Sequence, residues 1–148
     1  MLQRGEVSVA DYRAAVLVYL CRHAKAAPGD PDEARPLTAK GLEQARMLGE
    51  RLAQATPRPT AVVSSPLVRA RETANAIAEA LGLIVELDER LVPGATLASI
   101  EAIAAERAGP FATVGHQPDC SEIVFALTGV DPGFPVGSVH AIELGTHR

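Results

Sequence analysis

The chain has 148 residues, 47% of them hydrophobic and 22% charged, a mixture typical of a globular domain and not of a disordered chain. The net charge of −4, the lack of Trp and an aromatic content of 3% argue against a nucleic-acid-binding protein, which needs basic and stacking side chains. We expect one domain over residues 1–148, in which residues 1–13 are compatible with a flexible arm.

The N-terminal region imitates a secretory signal, because basic residues precede the apolar run 14–21 and the tripeptide Ala-Lys-Ala follows it at 24–26. Glu6 and Asp11 lie within the basic part, however, which argues against secretion. No apolar run approaches the about 18 residues that span a bilayer. The two cysteines lie far apart and lack disulfide-scaffold spacing, so we predict a cytoplasmic protein that does not contact membranes.

Short apolar runs rich in Val, Ile and Leu, each bounded by turn residues, predict five strands. They lie at 14–21, 60–63, 83–87, 111–114 and 138–144. Between these runs, apolar residues recur every three or four positions, which predicts four amphipathic helices. Their core positions span 42–52, 70–81, 97–104 and 123–127.

The boundaries of these helices carry start and stop signals. Helix starts are predicted at Ser65-Pro66, Thr96 and Asp119, and helix ends at Gly82 and Gly129. Strands that alternate with helices at this frequency predict a three-layer α/β sandwich, with a mostly parallel central sheet and helices on both faces. In such sheets ligands bind beyond the carboxyl ends of the strands.

Basic or hydroxyl side chains follow three of the predicted strands. Arg22 and His23 follow the first, a Ser-Ser-Pro sequence follows the second and opens a helix carrying Arg69 and Arg71, and His116 follows the fourth. If these strands are parallel, their ends meet at one edge of the sheet and bring two imidazoles and at least two guanidiniums together. Arg71 has no motif, and we interpret it as part of a solvated helix face.

Such a cluster of cationic groups is costly without an anion, and a phosphoryl group supplies one. Arginine presents a planar fork of donors that matches phosphate oxygens. A neutral histidine, with a reference pKa near 6.5, is an available nucleophile at pH 7. The residues therefore predict phosphoryl chemistry that is lost at acid pH, when the nucleophile becomes protonated.

Four segments, LCRHAKA, RPLTAKG, SSPLVRARETA and VGHQP, occur in this order along the chain. Their sequence and spacing, over about residues 16 to 144, resemble the histidine phosphatase superfamily, also called phosphoglycerate mutase-like, and in particular its short SixA-type members. The resemblance implies that His23 is the phosphorylated nucleophile and that Arg22 and Arg69 bind the phosphate. It implies that His116 supports the transferring group, and that Arg35 flanks the pocket.

Two positions depart from the family pattern. Ala24 stands where the family has glycine, next to the nucleophile. The acid that protonates the leaving group in many family members has only Asp88 and Glu89 as local candidates, and neither matches well. A phosphohistidine substrate needs such an acid less than an alkyl phosphate does, because its leaving imidazole accepts a proton readily.

The leading hypothesis is a metal-independent phosphatase that acts through a phosphohistidine intermediate on phosphohistidine of a phosphoprotein. Small phosphate esters are an alternative substrate class, and a non-catalytic module that binds phosphorylated ligands is an alternative of a different kind. No metal-ligand spacing joins the histidines and no glycine-rich phosphate loop is present, so we expect neither a metal nor another cofactor.

Overall fold

The computed structural model describes residues 15–145, in which five strands and four α-helices alternate. In chain order the elements are β1 Val16–Arg22, α1 Ala39–Ala53, β2 Val62–Ser64, α2 Val68–Leu81, β3 Val85–Leu87, α3 Leu97–Ala104, β4 Phe111–Gly115, α4 Asp119–Thr128 and β5 Val139–Leu144. All nine predicted elements are present, with ends that differ by a few residues. The predicted arm at 1–13 lies outside the described residues.

The strands form one sheet in the order β3-β2-β4-β1-β5. Strands β1, β2, β3 and β4 run parallel, and β5 pairs antiparallel with β1 along one edge. The prediction of a mostly parallel sheet is therefore confirmed. Strand β4 lies between β1 and β2, so the carboxyl ends of these three strands are neighbours.

Helices cover both faces of the sheet, as predicted. Val18 and Leu20 of β1 pack in a core cluster with apolar residues of α3 and α4. Tyr19 and Cys21 alternate with them and pack on the opposite face with apolar residues of α1 and α2. Burial on both faces explains why β1 reads as a continuous apolar run instead of an alternating one.

Helix α1 buries all of its predicted core positions except the first, Leu42. Leu42 is 53% exposed, because the buried stripe runs through Gly41, Ala45 and Leu48. A Cβ at position 41 would lie 2.0 Å from the carbonyl oxygen of Lys25, so only glycine lets α1 approach the chain that follows β1. Leu127 of α4 is likewise exposed, at 37%, and not part of the core.

Three of the predicted helix boundaries have the expected chemistry. The Thr96 side chain accepts from the backbone N–H of Ser99, and Gly82 and Gly129 end their helices with φ of 71° and 79°. Asp119 begins α4 but does not cap it: its carboxylate accepts from the N–H groups of Gly94 and Ala95, in the loop before α3.

Helix α2 begins later than the Ser65-Pro66 signal predicts. Its first residue is Val68, and its N-cap, Leu67, makes no side-chain capping bond. The Ser65 hydroxyl instead accepts from the N–H of Leu67, at 3.2 Å, one turn before the helix. Among residues 15–145, no helix has both the length and the apolar character needed to cross a membrane.

Candidate active site

The carboxyl ends of β1, β2 and β4 bring the predicted polar residues to one edge of the sheet. Arg22 lies opposite Gly115 in the β1–β4 register, and the N–H of His23 donates to the carbonyl of Gly115 at 3.1 Å. The N–H of Ser65 donates to the carbonyl of Val114, also in β4. The ring centroids of His23 and His116 are consequently only 5.4 Å apart.

His23 is a neutral imidazole that is held in place by a hydrogen bond at its Nδ1. Its Nδ1 lies 2.7 Å from the carbonyl oxygen of Ala24 and must donate, because a carbonyl can only accept. Burial, aided by the charges of Arg69, Arg22 and Arg35, lowers the pKa of His23 to about 4, although the bond to Ala24 opposes this shift. At neutral pH the lone pair therefore lies on Nε2.

The backbone around Ala24 is fixed from α2. The N–H of Ala24 donates to Thr73 Oγ1 at 3.0 Å, and Thr73 donates in turn to the carbonyl of Arg69. The methyl group of Ala24 is fully buried, in contact with Leu37 and Ala45. The substitution of the family's glycine thus places a methyl group in a small core cluster.

His116 is buried, with 3% of its surface exposed. Its Nε2 lies 2.8 Å from Ser65 Oγ, and its Nδ1 is buried without a hydrogen-bond partner among the described residues. Burial is the main cause that lowers the pKa of His116 to about 4, and the charges of Arg69 and His23 add to it. A buried ring nitrogen without a partner is the kind of group that a bound ligand satisfies.

Arg22 and Arg69 are anchored by different loops. Arg22 donates from Nη1 to the carbonyl of Phe134 at 2.8 Å, and its Nε is buried without a partner in the described part of the chain. Arg69 is buried and donates from Nη1 to the carbonyl of Asp32 and from Nη2 to its carboxylate. Both guanidiniums are positioned by backbone carbonyls, and so need less ordering to bind an anion.

Asp32 is a site residue that the sequence motifs do not indicate, and its carboxylate joins Arg69, a predicted phosphate ligand, to Arg35, which was predicted to flank the pocket. One oxygen accepts from Arg35 at 2.9 Å and the other from Arg69 at 3.1 Å. The hydrogen bond from Arg35, followed by the charge of Arg69, lowers the pKa of Asp32, so this group is an anion at neutral pH. The acidic stretch just before Arg35 is the signal that could have identified it.

Asp88 and Glu89, the two candidates for the acid that protonates the leaving group, follow β3. Asp88 accepts from the backbone and the guanidinium of Arg90, which also pairs with Glu106. These contacts lower the pKa of Asp88, so its carboxylate is ionised and engaged at neutral pH. Glu89 is exposed, in the short 3₁₀ turn that follows β3.

Arg71 is exposed, as its interpretation as part of a solvated face requires. It lies two positions from Arg69 on α2, so the two arginines point in different directions from the helix. This pair offers a matched comparison between a buried and a solvated guanidinium on one element.

We expect Asp32→Asn to strengthen the binding of tungstate or inorganic phosphate by roughly two- to fivefold, the worth of an exposed ion pair. An anion entering the site must compete with the Asp32 carboxylate for Arg69 and Arg35, whereas an amide competes weakly. Titration calorimetry at fixed ionic strength measures the change. Glu33→Gln, which removes the neighbouring exposed charge, is the control. Unchanged or weaker binding in Asp32→Asn would contradict the competition.

Comparison with known proteins shows the family to which this arrangement of histidines and arginines belongs. The family model "Histidine phosphatase superfamily (branch 1)" matches residues 18–92. An uncharacterized protein of Picosynechococcus sp. is 37% identical over 143 residues, covering 88% of this chain and 87% of its own. A Citrobacter koseri protein named "Probable phosphoglycerate mutase GpmB" is 43% identical over 81 residues, covering 50% of this chain and 36% of its own.

Among solved structures, the protein histidine phosphatase SixA complexed with tungstate superposes with a TM-score of 0.77 at 25% identity, covering 89% of this chain and 94% of that one. The family match spans half of the sequence and includes the segments that carry Arg22, His23 and Arg69. The chain therefore belongs to the histidine phosphatase superfamily and is an enzyme of the phosphatase and mutase type.

Proposed function

We propose that the chain is a metal-independent phosphatase that removes the phosphoryl group from phosphohistidine of a phosphoprotein, through a phosphohistidine intermediate on His23. The observation that carries the proposal is the bond from His23 Nδ1 to the carbonyl of Ala24. This bond leaves the lone pair on Nε2, in a ring that lies 5.4 Å from His116 and within the field of Arg22 and Arg69. A fixed, neutral imidazole among cationic donors is suited to attack on a phosphoryl group.

The reaction takes place in two displacements at phosphorus. In the first, His23 Nε2 forms a bond to phosphorus while the bond from phosphorus to the substrate nitrogen breaks, and the departing imidazole takes up a proton from solvent. In the second, water attacks the phosphoryl group, loses a proton, and releases inorganic phosphate and neutral His23. Arg22 and Arg69 stabilise the charge on the equatorial oxygens in both steps, a contribution that a metal ion makes in other phosphoryl-transfer enzymes.

Two features support phosphohistidine as the substrate. The candidate acid Asp88 is ionised in its pair with Arg90, which favours a leaving group that accepts its own proton. The Asp32 side chain is 62% exposed while it contacts Arg69, so the arginine cluster is continuous with the protein surface. A phosphoryl group carried on another protein can approach such a site, and the likeness to the SixA structure supports the same substrate class.

Small phosphate esters remain the second candidate, favoured by the match to the protein named as a phosphoglycerate mutase. We propose a cytoplasmic location, in keeping with the two free, buried cysteines. We also propose that the chain is a single domain that uses no cofactor and binds neither nucleic acid nor a membrane.

The test compares turnover of a phosphohistidine-bearing protein, 3-phosphoglycerate and a chromogenic phosphate ester, each with and without a chelator. We expect the phosphohistidine protein to have the highest kcat/KM and the chelator to change nothing. Faster reaction of 3-phosphoglycerate would favour the small-ester alternative. Binding of the phosphoprotein without phosphate release would show a non-catalytic module.

The pH at which activity is lost differs between the prediction from the sequence and the prediction from the structure. The reference pKa of histidine puts the loss of activity near pH 6.5, whereas burial and the neighbouring arginines place the pKa of His23 at about 4. Protonation removes the Nε2 lone pair, so phosphoenzyme formation should persist at pH 5 and fall as the pH drops through about 4. Single-turnover rates and NMR titration of the His23 ring check this together, and a shared midpoint near 6.5 would contradict it.

A further inference from the structure

The contact between Ser65 and His116 lies inside the site but is not part of the proposed chemistry. Ser65 is fully buried, His116 is almost so, and 2.8 Å separates Ser65 Oγ from His116 Nε2. Building on the proposed function, we propose that Ser65 is a positioning residue that fixes His116 in the tautomer with its proton on Nδ1, so that the neutral ring donates a hydrogen bond to the phosphoryl group.

The hydrogen-bond partners of Ser65 decide the direction of this contact. Its oxygen already accepts from the N–H of Leu67 at 3.2 Å, and an N–H group cannot receive the hydroxyl proton. Within the described part of the chain, His116 Nε2 is the remaining partner of the hydroxyl. The proton of Ser65 is therefore used only if it points at Nε2, which must then be the unprotonated nitrogen.

The two tautomers differ in how many buried groups they leave unpaired. With the proton on Nδ1, Ser65 is fully paired and one group, the Nδ1–H of His116, is left without a partner. With the proton on Nε2, that N–H donates to Ser65, and both the serine proton and the Nδ1 lone pair are unpaired. Because each unpaired buried polar group is destabilising, the first tautomer is favoured.

Bound phosphate increases this preference. The Nδ1–H of the first tautomer is a donor that an oxygen of the phosphoryl group satisfies, whereas the lone pair of the second repels that oxygen. The choice matters because burial and the charge of Arg69 keep His116 neutral at pH 7, so the ring has one proton to place. A doubly protonated ring would donate from both nitrogens and would need no positioning residue.

The tautomer is measured on the protein without substrate, at pH 7, by nitrogen NMR of histidine labelled in the ring. Protonated and unprotonated ring nitrogens have widely separated shifts, and the His116 signals are assigned by their loss in His116→Gln. We expect a protonated Nδ1 and an unprotonated Nε2. The opposite pattern overturns the inference. Because this measurement uses no variant of Ser65, its result does not depend on whether such a variant folds.

The role of Ser65 is then tested with two neighbouring serines. Ser65→Ala should shift His116 toward the Nε2–H tautomer and weaken tungstate binding by about tenfold, the worth of a lost bond to an anion. Ser64→Ala removes an equally buried hydroxyl that donates to the carbonyl of Ser65, and should change neither. An unchanged tautomer or unchanged tungstate binding in Ser65→Ala overturns the inference.

These outcomes are distinguishable from failure of the proposed function. The tautomer and the tungstate affinity are both measured without turnover. If His116 shows the expected tautomer and Ser65→Ala weakens tungstate binding, while no phosphoenzyme ever forms, then the catalytic proposal fails and the role of Ser65 stands. If phosphoenzyme forms with His116 in the other tautomer, the reverse holds.

Discussion

His23→Ala is expected to abolish the phosphoenzyme and to lower turnover by on the order of 10⁴-fold or more, as loss of a nucleophile does in other covalent enzymes. The imidazole is the only group of the protein that bonds to phosphorus in the proposed mechanism. Arg22, Arg69 and His116 remain in the variant and can still bind the anion. The expected result is therefore a protein that binds tungstate but forms no covalent intermediate.

The measurement is acid-labile, base-stable phosphate on the protein after brief exposure to a phosphohistidine substrate, located by peptide mapping. His140→Ala is the control, because His140 lies in β5 and its ring packs on Phe134, outside the cluster of His23 and His116. It should retain the labelled phosphoenzyme. Label that persists in His23→Ala, or that maps to His116, would assign the nucleophile elsewhere.

Much of the fold was predictable because its signals are local. A β-strand buried on both faces produces a continuous apolar run, and β1 and β4 show it clearly. The convergence of His23 and His116 was accessible for the same reason, since parallel neighbouring strands end at one edge. The strand order, which the sequence does not predict, places β4 beside β1 and so makes these two ends neighbours.

The parts that sequence reasoning missed depend on distances that no local pattern records. The stripe of α1 is displaced from Leu42 because Gly41 lies against the backbone of Lys25, a contact between distant elements. Asp32 contacts Arg69 across 37 positions of sequence, and Ser65 contacts His116 across 51. Neither pairing has a spacing that would indicate it, although the need to neutralise buried arginines could have directed attention to nearby carboxylates.

The net charge of the site is closer to zero than the cluster of histidines and arginines in the sequence indicates. In the absence of substrate, the Asp32 carboxylate occupies donors of both Arg35 and Arg69. His23 and His116 contribute no charge at neutral pH, because both have a pKa of about 4. We therefore expect an incoming phosphoryl group to compete with this carboxylate for Arg35 and Arg69.

Arg69→Ala is expected to lower kcat/KM by about 10²- to 10³-fold, the scale on which one transition-state donor acts. Arg69 is buried and its guanidinium is held by the carbonyl and carboxylate of Asp32, so its loss removes a preorganised donor. Arg71→Ala, on the exposed side of the same helix, should leave kcat/KM within about twofold, because surface charges act weakly.

A second readout shows whether Arg69 acts through its charge. Its guanidinium lowers the pKa of both His23 and His116, so both ring pKa values should rise in Arg69→Ala and the acid limb of activity should move to higher pH. Arg69→Lys should restore the low pKa values but only part of the rate, because a lysine lacks the planar fork that binds two phosphate oxygens. Full activity in Arg69→Ala, or equal losses in Arg69→Ala and Arg71→Ala, would remove Arg69 from the site.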